Sequence, residues 1–193
     1  KKNHLVPFTE YFPYGNIFPK FYKILLEGDT HLWTPGTEAT VFESRGVRFS
    51  TPICFEDTFG NLTRRFFTEN ENGPDVFINM SNDAWAHNAA CQYQHLSMAA
   101  FRSAESRIPT VRSTASGVTC YLDSTGRVVK EAPSFEQTSL TIDVKIKKNN
   151  SISFYNRHGD YFPVLALIFI ALLVIEEITR QTIVAKKSEN EVK

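Results

Sequence analysis

The sequence predicts a layered α/β domain followed by one long apolar helix, and three observations carry that expectation. Short runs rich in β-branched and aromatic residues alternate with segments whose apolar residues recur at helical spacing, the pattern of sheet and helix layers. A stretch from Tyr161 to Ile175 is uncharged and almost wholly apolar, unlike any other part of the chain. The composition is that of a folded chain, with 193 residues, 42% hydrophobic and 13% aromatic, which excludes a disordered tail, a collagen-like repeat and a disulfide miniprotein. Its 21 Lys and Arg balance 21 Asp and Glu, so no basic stripe argues for nucleic acid and no nucleic-acid partner is expected. The chain opens Lys1-Lys2-Asn3-His4 without an initiator Met or a signal-like segment, and is expected to be a fragment or a processed product.

The elements follow in order. Val47 to Cys54 reads as a short strand that enters a loop at its end. Thr58 to Asn70 carries Phe59, Leu62, Phe66 and Phe67 at helical spacing, with Arg64 and Arg65 opposite. Asp75 to Ser81 is a second strand, bounded by Gly73-Pro74 and Asn82-Asp83. A loop is expected from Ser81 to Tyr93, then a helix from Gln92 to Ser106 with Leu96, Ala99, Ala100 and Ala104 along one side. Thr110 to Thr114 and Val118 to Leu122 read as strands around Ala115-Ser116-Gly117, and Asp123 to Arg127 as a hairpin turn into Val128-Val129. The apolar segment is extended by Ile178, Ile183 and Val184 to the roughly 20 residues that cross a bilayer. Tyr161 and Phe162 stand at one end, Arg180, Lys186 and Lys187 at the other, the arrangement of an aromatic belt and a positively charged cytoplasmic flank. The expected division is a layered α/β portion over 1–155, a transmembrane helix over 160–184 and a polar basic tail over 185–193.

Cys54, Cys91 and Cys120 are far apart and form no CxxC pair, so spacing suggests neither a disulfide framework nor a zinc site. No metal or cofactor is expected, and Cys91 and Cys120 read as bystanders. Cys54 differs because it closes a strand and precedes Phe55-Glu56-Asp57 and a helix. A nucleophile at such a turn is exposed at the sheet edge, where backbone N–H groups stabilise thiolate and oxyanion. A thiolate needs a proton acceptor, most often His. Among His4, His31, His87, His95 and His158, only His87 and His95 fall near a plausible site loop. The opening residues offer another partner, since Lys2 and Glu10 flank Leu5-Val6-Pro7-Phe8, an expected apolar core with a turn set by Pro7. A Lys ammonium beside a tetrahedral oxyanion stabilises its charge, and a nearby Glu holds that Lys in place. Surface charge on either side of buried apolar residues is the plainer reading. Arg102, Glu105 and Arg107 read as a solvated or salt-bridged helix face, Arg102 with the option of lying behind the site.

Taken in order, Lys2 and Glu10 within KKNHLVPFTEYFP, Cys54-Phe55-Glu56 after Thr51-Pro52-Ile53, NMSNDAW at 79–85, YQHLSMAAFRSAESRIPTVRSTASG at 93–117 and RHGDYFP at 157–163 resemble the nitrilase, or carbon-nitrogen hydrolase, superfamily. Within it they are most similar to the apolipoprotein N-acyltransferases of bacterial envelopes. The resemblance implies an α/β nitrilase-type α-β-β-α sandwich, here partial, followed by one C-terminal transmembrane helix. It also implies acyl transfer through a thioester by a Glu-Lys-Cys triad. By motif, Lys2 matches the catalytic Lys, Cys54 the nucleophile and Glu10 an additional glutamate, while Glu56 matches a further functional acid. Phe55 stands where the family commonly has Tyr. The general-base Glu lies upstream of the Lys in the family and no position here receives it, so these residues alone are expected to be inactive. The implied donor is a phospholipid and the implied acceptor the α-amine of a diacylated apolipoprotein, with Trp85, His87 and Tyr93 bordering the substrate. The implied location is the bacterial inner membrane, multi-pass at full length, with the catalytic domain periplasmic and the tail cytoplasmic. A soluble nitrilase-type amidase acting on a small amide, and a membrane-tethered pseudoenzyme or binding module, are the alternatives.

Overall fold

Why the apolar runs at 47–50 and 76–82 come together is answered by a mixed sheet in which they are neighbours. The computed structural model describes residues 1–15, 17–20, 33–85, 88–147 and 152–191, with backbone alone for 184–191. The chain divides into two units, Lys1–Arg157 and His158–Lys193. In the first, six strands lie in chain order: β1 (Phe42–Ser44), β2 (Val47–Ser50), β3 (Val76–Asn82), β4 (Thr110–Ala115), β5 (Cys120–Leu122) and β6 (Val128–Glu131). β2, β3 and β4 are parallel, and antiparallel pairs extend the sheet at both ends. Each parallel step needs a crossover. A 3-10 turn (Cys54–Thr58) and helix α1 (Gly60–Thr68) supply the first, and helix α2 (Ala89–Ser106) the second.

Side chains alternate along β3, and Phe77 and Asn79 face the helices. Phe66 and Phe67 of α1 meet Phe77 with ring centroids 6.0 and 6.1 Å apart, and Ala39 and Ile108 complete that cluster. Leu96 of α2 packs with Val118, Cys120 and Leu122 in a second cluster. Arg48 and Asp75 join β2 to the start of β3 through paired bonds of 2.7 and 3.2 Å plus the Arg48 N–H at 2.9 Å. The opposite sheet face presents Phe49, Ile78 and Met80, the last 52% exposed. Among the described residues the sandwich is thus represented by one sheet and its helix layer.

Three boundaries depart from the sequence expectation. The strand expected to reach Cys54 ends at Ser50, because Pro52 has no N–H to give a ladder, and the chain rejoins β3 only at the Ile53–Met80 bridge. The loop expected to run to Tyr93 closes at Asn88, whose Oδ1 accepts the Ala90 N–H at 2.8 Å and starts α2 three residues early. Cys91 and Tyr93 are therefore helical. The Leu5–Phe8 core is not buried as expected: Phe8, at φ +64° on a turn tip, is 73% exposed.

The second unit holds the end of a short helix, α3 (Phe154–His158), and a 31-residue helix, α4 (Tyr161–Glu191). Its Tyr161–Ile183 stretch, 23 residues, is long and apolar enough to cross a membrane, and none of it is buried. At 1.5 Å per residue that is about 34 Å, a little more than a bilayer core. The helix continues through the polar residues that follow the apolar stretch as far as Glu191. Ala, Lys and Glu are strong helix formers.

Phe77→Ala is expected to destabilise the first unit by about 3–5 kcal/mol, since both α1 rings lose their shared partner. Chemical denaturation monitored by circular dichroism measures it.

Candidate active site

The first wall of the site is the segment that carries Lys2. Val6 O accepts the Glu10 N–H at 2.9 Å, closing a tight turn that points the Glu10 carboxylate back along the chain. Glu10 accepts two bonds from Lys2 Nζ, at 2.6 and 2.7 Å, and one from the Val6 N–H at 2.8 Å. The Lys2 side chain is only 9% exposed, so its ammonium is held by the carboxylate instead of by water. The expected Lys–Glu pairing is therefore present.

The second wall is the turn after β2. Cys54 opens the 3-10 turn at φ +54°, a left-handed backbone uncommon for a residue with a side chain, and such strain gathers at functional sites. Asn79, fully buried on β3, fixes the turn from below by donating Nδ2 to Pro52 O and Cys54 O, both at 3.0 Å. Glu56 joins the two walls. Its Oε1 accepts the N–H groups of Asn3 and His4, the latter at 2.8 Å, and its Oε2 accepts the Ile53 N–H at 2.8 Å. The residues following Lys2 and the residue preceding Cys54 thus share one buried carboxylate.

Beneath the turn lies a group of charges. Asp57 accepts bonds from Arg112 of β4 and from His95 Nε2 of α2, the latter at 2.8 Å. His95 Nδ1 stands 3.2 Å from both oxygens of Asp83, and Arg112 Nη2 is 3.8 Å from Asp83 Oδ2. All four residues are at most 3% exposed. Burial opposes a charge on His95, but its bonds to Asp57 and Asp83 outweigh it and hold the imidazolium up to about 9. Burial also opposes the Asp83 charge, yet bonds from His95 and Ser81 bring its carboxyl below the usual range. With two cations and two anions the cluster is neutral overall, the condition under which buried charges are tolerated. Gly117 closes it on one side, where a Cβ would lie 2.5 Å from Asp83 Oδ2.

The sequence profile of the carbon-nitrogen hydrolases matches residues 1–152, the whole of both walls and the sheet between them. The chain belongs to the carbon-nitrogen hydrolase family. Its curated relatives include the apolipoprotein N-acyltransferase 1 of Treponema denticola, 45% identical over 172 residues, covering 89% of this chain and 31% of the relative. The protein of the same name in Treponema pallidum is 49% identical over 145 residues, covering 75% of this chain and 26% of that one. The chain therefore spans about a third or less of the length of these relatives. Among solved structures, the glutamine-dependent NAD+ synthetase of Acinetobacter baumannii shares the fold, with a TM-score of 0.52, 14% identity and coverage of 70% of this chain and 24% of that one.

Within this carbon-nitrogen hydrolase fold the expected site residues separate. Lys2 and Glu10 are in contact, Glu56 ties their segment to the Cys54 turn, and Phe55 lies in the turn itself. Trp85 is 66% exposed after β3. Tyr93 donates its hydroxyl to Glu131 at 2.6 Å, at the edge strand β6. His87 lies outside the described residues. Cys91 is exposed on α2, and burial pushes the Cys120 thiol up to about 11. Arg102 does reach behind the turn, donating to Thr58 O at 3.0 Å while paired with Glu105 at 2.7 Å. Asn79, Asp57, Asp83 and Arg112 were not expected. An Arg two residues beyond Thr110 on the inward side of a strand was the one available signal, since a buried guanidinium requires a carboxylate.

Because the folded-state pKa of His95 lies above its ordinary value of 6.5, its stabilising contribution is fully present below pH 6.5 and is lost as pH rises through about 9. The melting temperature of the wild type is expected to fall across that interval more steeply than that of His95→Gln, as differential scanning fluorimetry at a series of pH values measures.

Proposed function

We propose that the protein containing these residues transfers an acyl chain from a phospholipid to the α-amine of the diacylglyceryl-cysteine of bacterial lipoproteins. One observation carries the reading: a single carboxylate, Glu56, binds the Lys2 segment and the Cys54 turn together, and Lys2 is itself gripped by Glu10. The names of the Treponema relatives and the unburied apolar span Tyr161–Ile183 support the choice of substrate over a small soluble amide.

In this reading a carboxylate outside residues 1–193 takes the Cys54 proton. The thiolate attacks the phospholipid ester carbonyl, and the oxyanion is stabilised by the Lys2 ammonium and the Phe55 N–H. The C–O bond breaks, lysophospholipid leaves with a proton, and an acyl thioester remains on Cys54. The lipoprotein amine then attacks the thioester, forms the amide and restores the thiol. Glu10 holds and aims Lys2, while Glu56 and Phe55 support the turn. Trp85, His87 and Tyr93 contribute to the acyl and acceptor surfaces. The α4 span anchors the enzyme in the inner membrane, where both lipids reside, with the catalytic unit periplasmic and the residues after the span cytoplasmic.

In the protein at its full native length, Cys54→Ala is expected to abolish both acylation of a diacylated lipopeptide and the trapped thioester, read by mass spectrometry. Undiminished turnover would sink Cys54 as nucleophile. Glu10→Gln is expected to lower the acylation rate by about 100-fold, the scale of losing an oxyanion contact, with little change in the melting temperature. A polypeptide limited to residues 1–193 is expected to show no acylation in the same assay.

A further inference from the structure

Phe55 stands between the nucleophile and the buried charges. Its ring centroid lies 5.1 Å from that of His95, with the planes at 42°, and 6.2 Å from that of Phe59 in an edge-to-face pair. Phe59 in turn stacks on His4 at 5.0 Å. Four rings therefore run from the segment that carries Lys2 to the centre of the charge cluster. His95 cannot turn away from Phe55, because Asp57 and Asp83 each hold one of its ring nitrogens. A cation within about 6 Å of an aromatic centroid is attracted to the ring.

We propose that His95 is a positioning residue whose imidazolium, fixed between Asp57 and Asp83, grips the Phe55 ring and so orients the peptide that follows Cys54. The ring, not a hydroxyl upon it, is what position 55 contributes, and Phe serves there as well as Tyr. The link to the oxyanion rests on the function proposed above; the grip itself rests only on the packing.

The groups facing His95 from the neighbouring elements are Asp57 of the 3-10 turn, Asp83 after β3 and Arg112 of β4. His95, held up to about 9 by its bonds to Asp57 and Asp83, loses its charge in mildly alkaline solution.

The test uses the protein at its full native length and follows acylation of Cys54 by p-nitrophenyl acetate, read as the p-nitrophenolate burst with Cys54→Ala as the blank. Phe55→Leu is expected to slow the burst about tenfold at unchanged KM for the ester, whereas Phe55→Tyr keeps the wild-type rate. His95→Asn is expected to slow it by a similar factor, and the double variant to be no slower than either single one. Above about pH 9 the gap between wild type and Phe55→Leu is expected to close. A wild-type rate for Phe55→Leu, a slow Phe55→Tyr, or effects of Phe55→Leu and His95→Asn that multiply would each overturn the proposal. If His95→Asn does not fold, the Leu and Tyr comparison and its pH dependence decide alone. Because the ester is not a lipid, a normal burst together with failure to accept phospholipid would refute the proposed substrate and leave the positioning role standing.

Discussion

The arrangement turns on the Glu56 carboxylate. A carboxylate buried to 3% exposure must find hydrogen-bond donors, and the ones it finds are backbone N–H groups from two stretches far apart in sequence, Asn3–His4 and Ile53. Loop segments bring no regular ladder of their own, so this bridge, with the His4–Phe59 stack beside it, ties the Lys2 segment to the Cys54 turn. The Lys2–Glu10 pair then only has to be right locally, and a turn of a few residues closed on Val6 O suffices. Long-range placement and short-range aim are handled by two different carboxylates.

Beneath this, apolar and polar layers share the same sheet face. The Phe66, Phe67 and Phe77 cluster lies toward one end of β3, and Asn79 with the charge group lies toward its C-terminal end, two residues along the same side. The apolar end provides cohesion through burial. The polar end provides direction, because each side chain there has few orientations that satisfy its bonds. Parallel strands commonly gather such groups at their C-terminal ends, and β2, β3 and β4 follow that pattern.

Much of this was legible in the sequence, for identifiable reasons. The sheet, both crossover helices and the apolar span announce themselves through period and composition, which depend on near neighbours. Lys2, Glu10, Cys54 and Glu56 were legible as motif positions. What was not legible depended on distant partners. The early end of β2 required recognising that Pro52 breaks the ladder, and the early start of α2 turned on one side-chain oxygen of Asn88. The four-residue charge cluster draws on three elements and a loop, so no local pattern shows it. Phe8 misled because an apolar residue was assumed to be inside, when its turn directs it outward.

The left-handed backbone at Cys54 restricts what evolution or an experimenter can place there. A β-branched side chain is poorly tolerated at such a φ, so a threonine or valine would disturb the turn as well as remove the thiol, and their phenotypes would mix chemistry with folding. Serine and alanine keep the backbone within reach. The same geometry sets a threonine hydroxyl at a disadvantage to the sulfur, leaving cysteine, with serine as its nearest neighbour, as the side chain this turn accepts most readily.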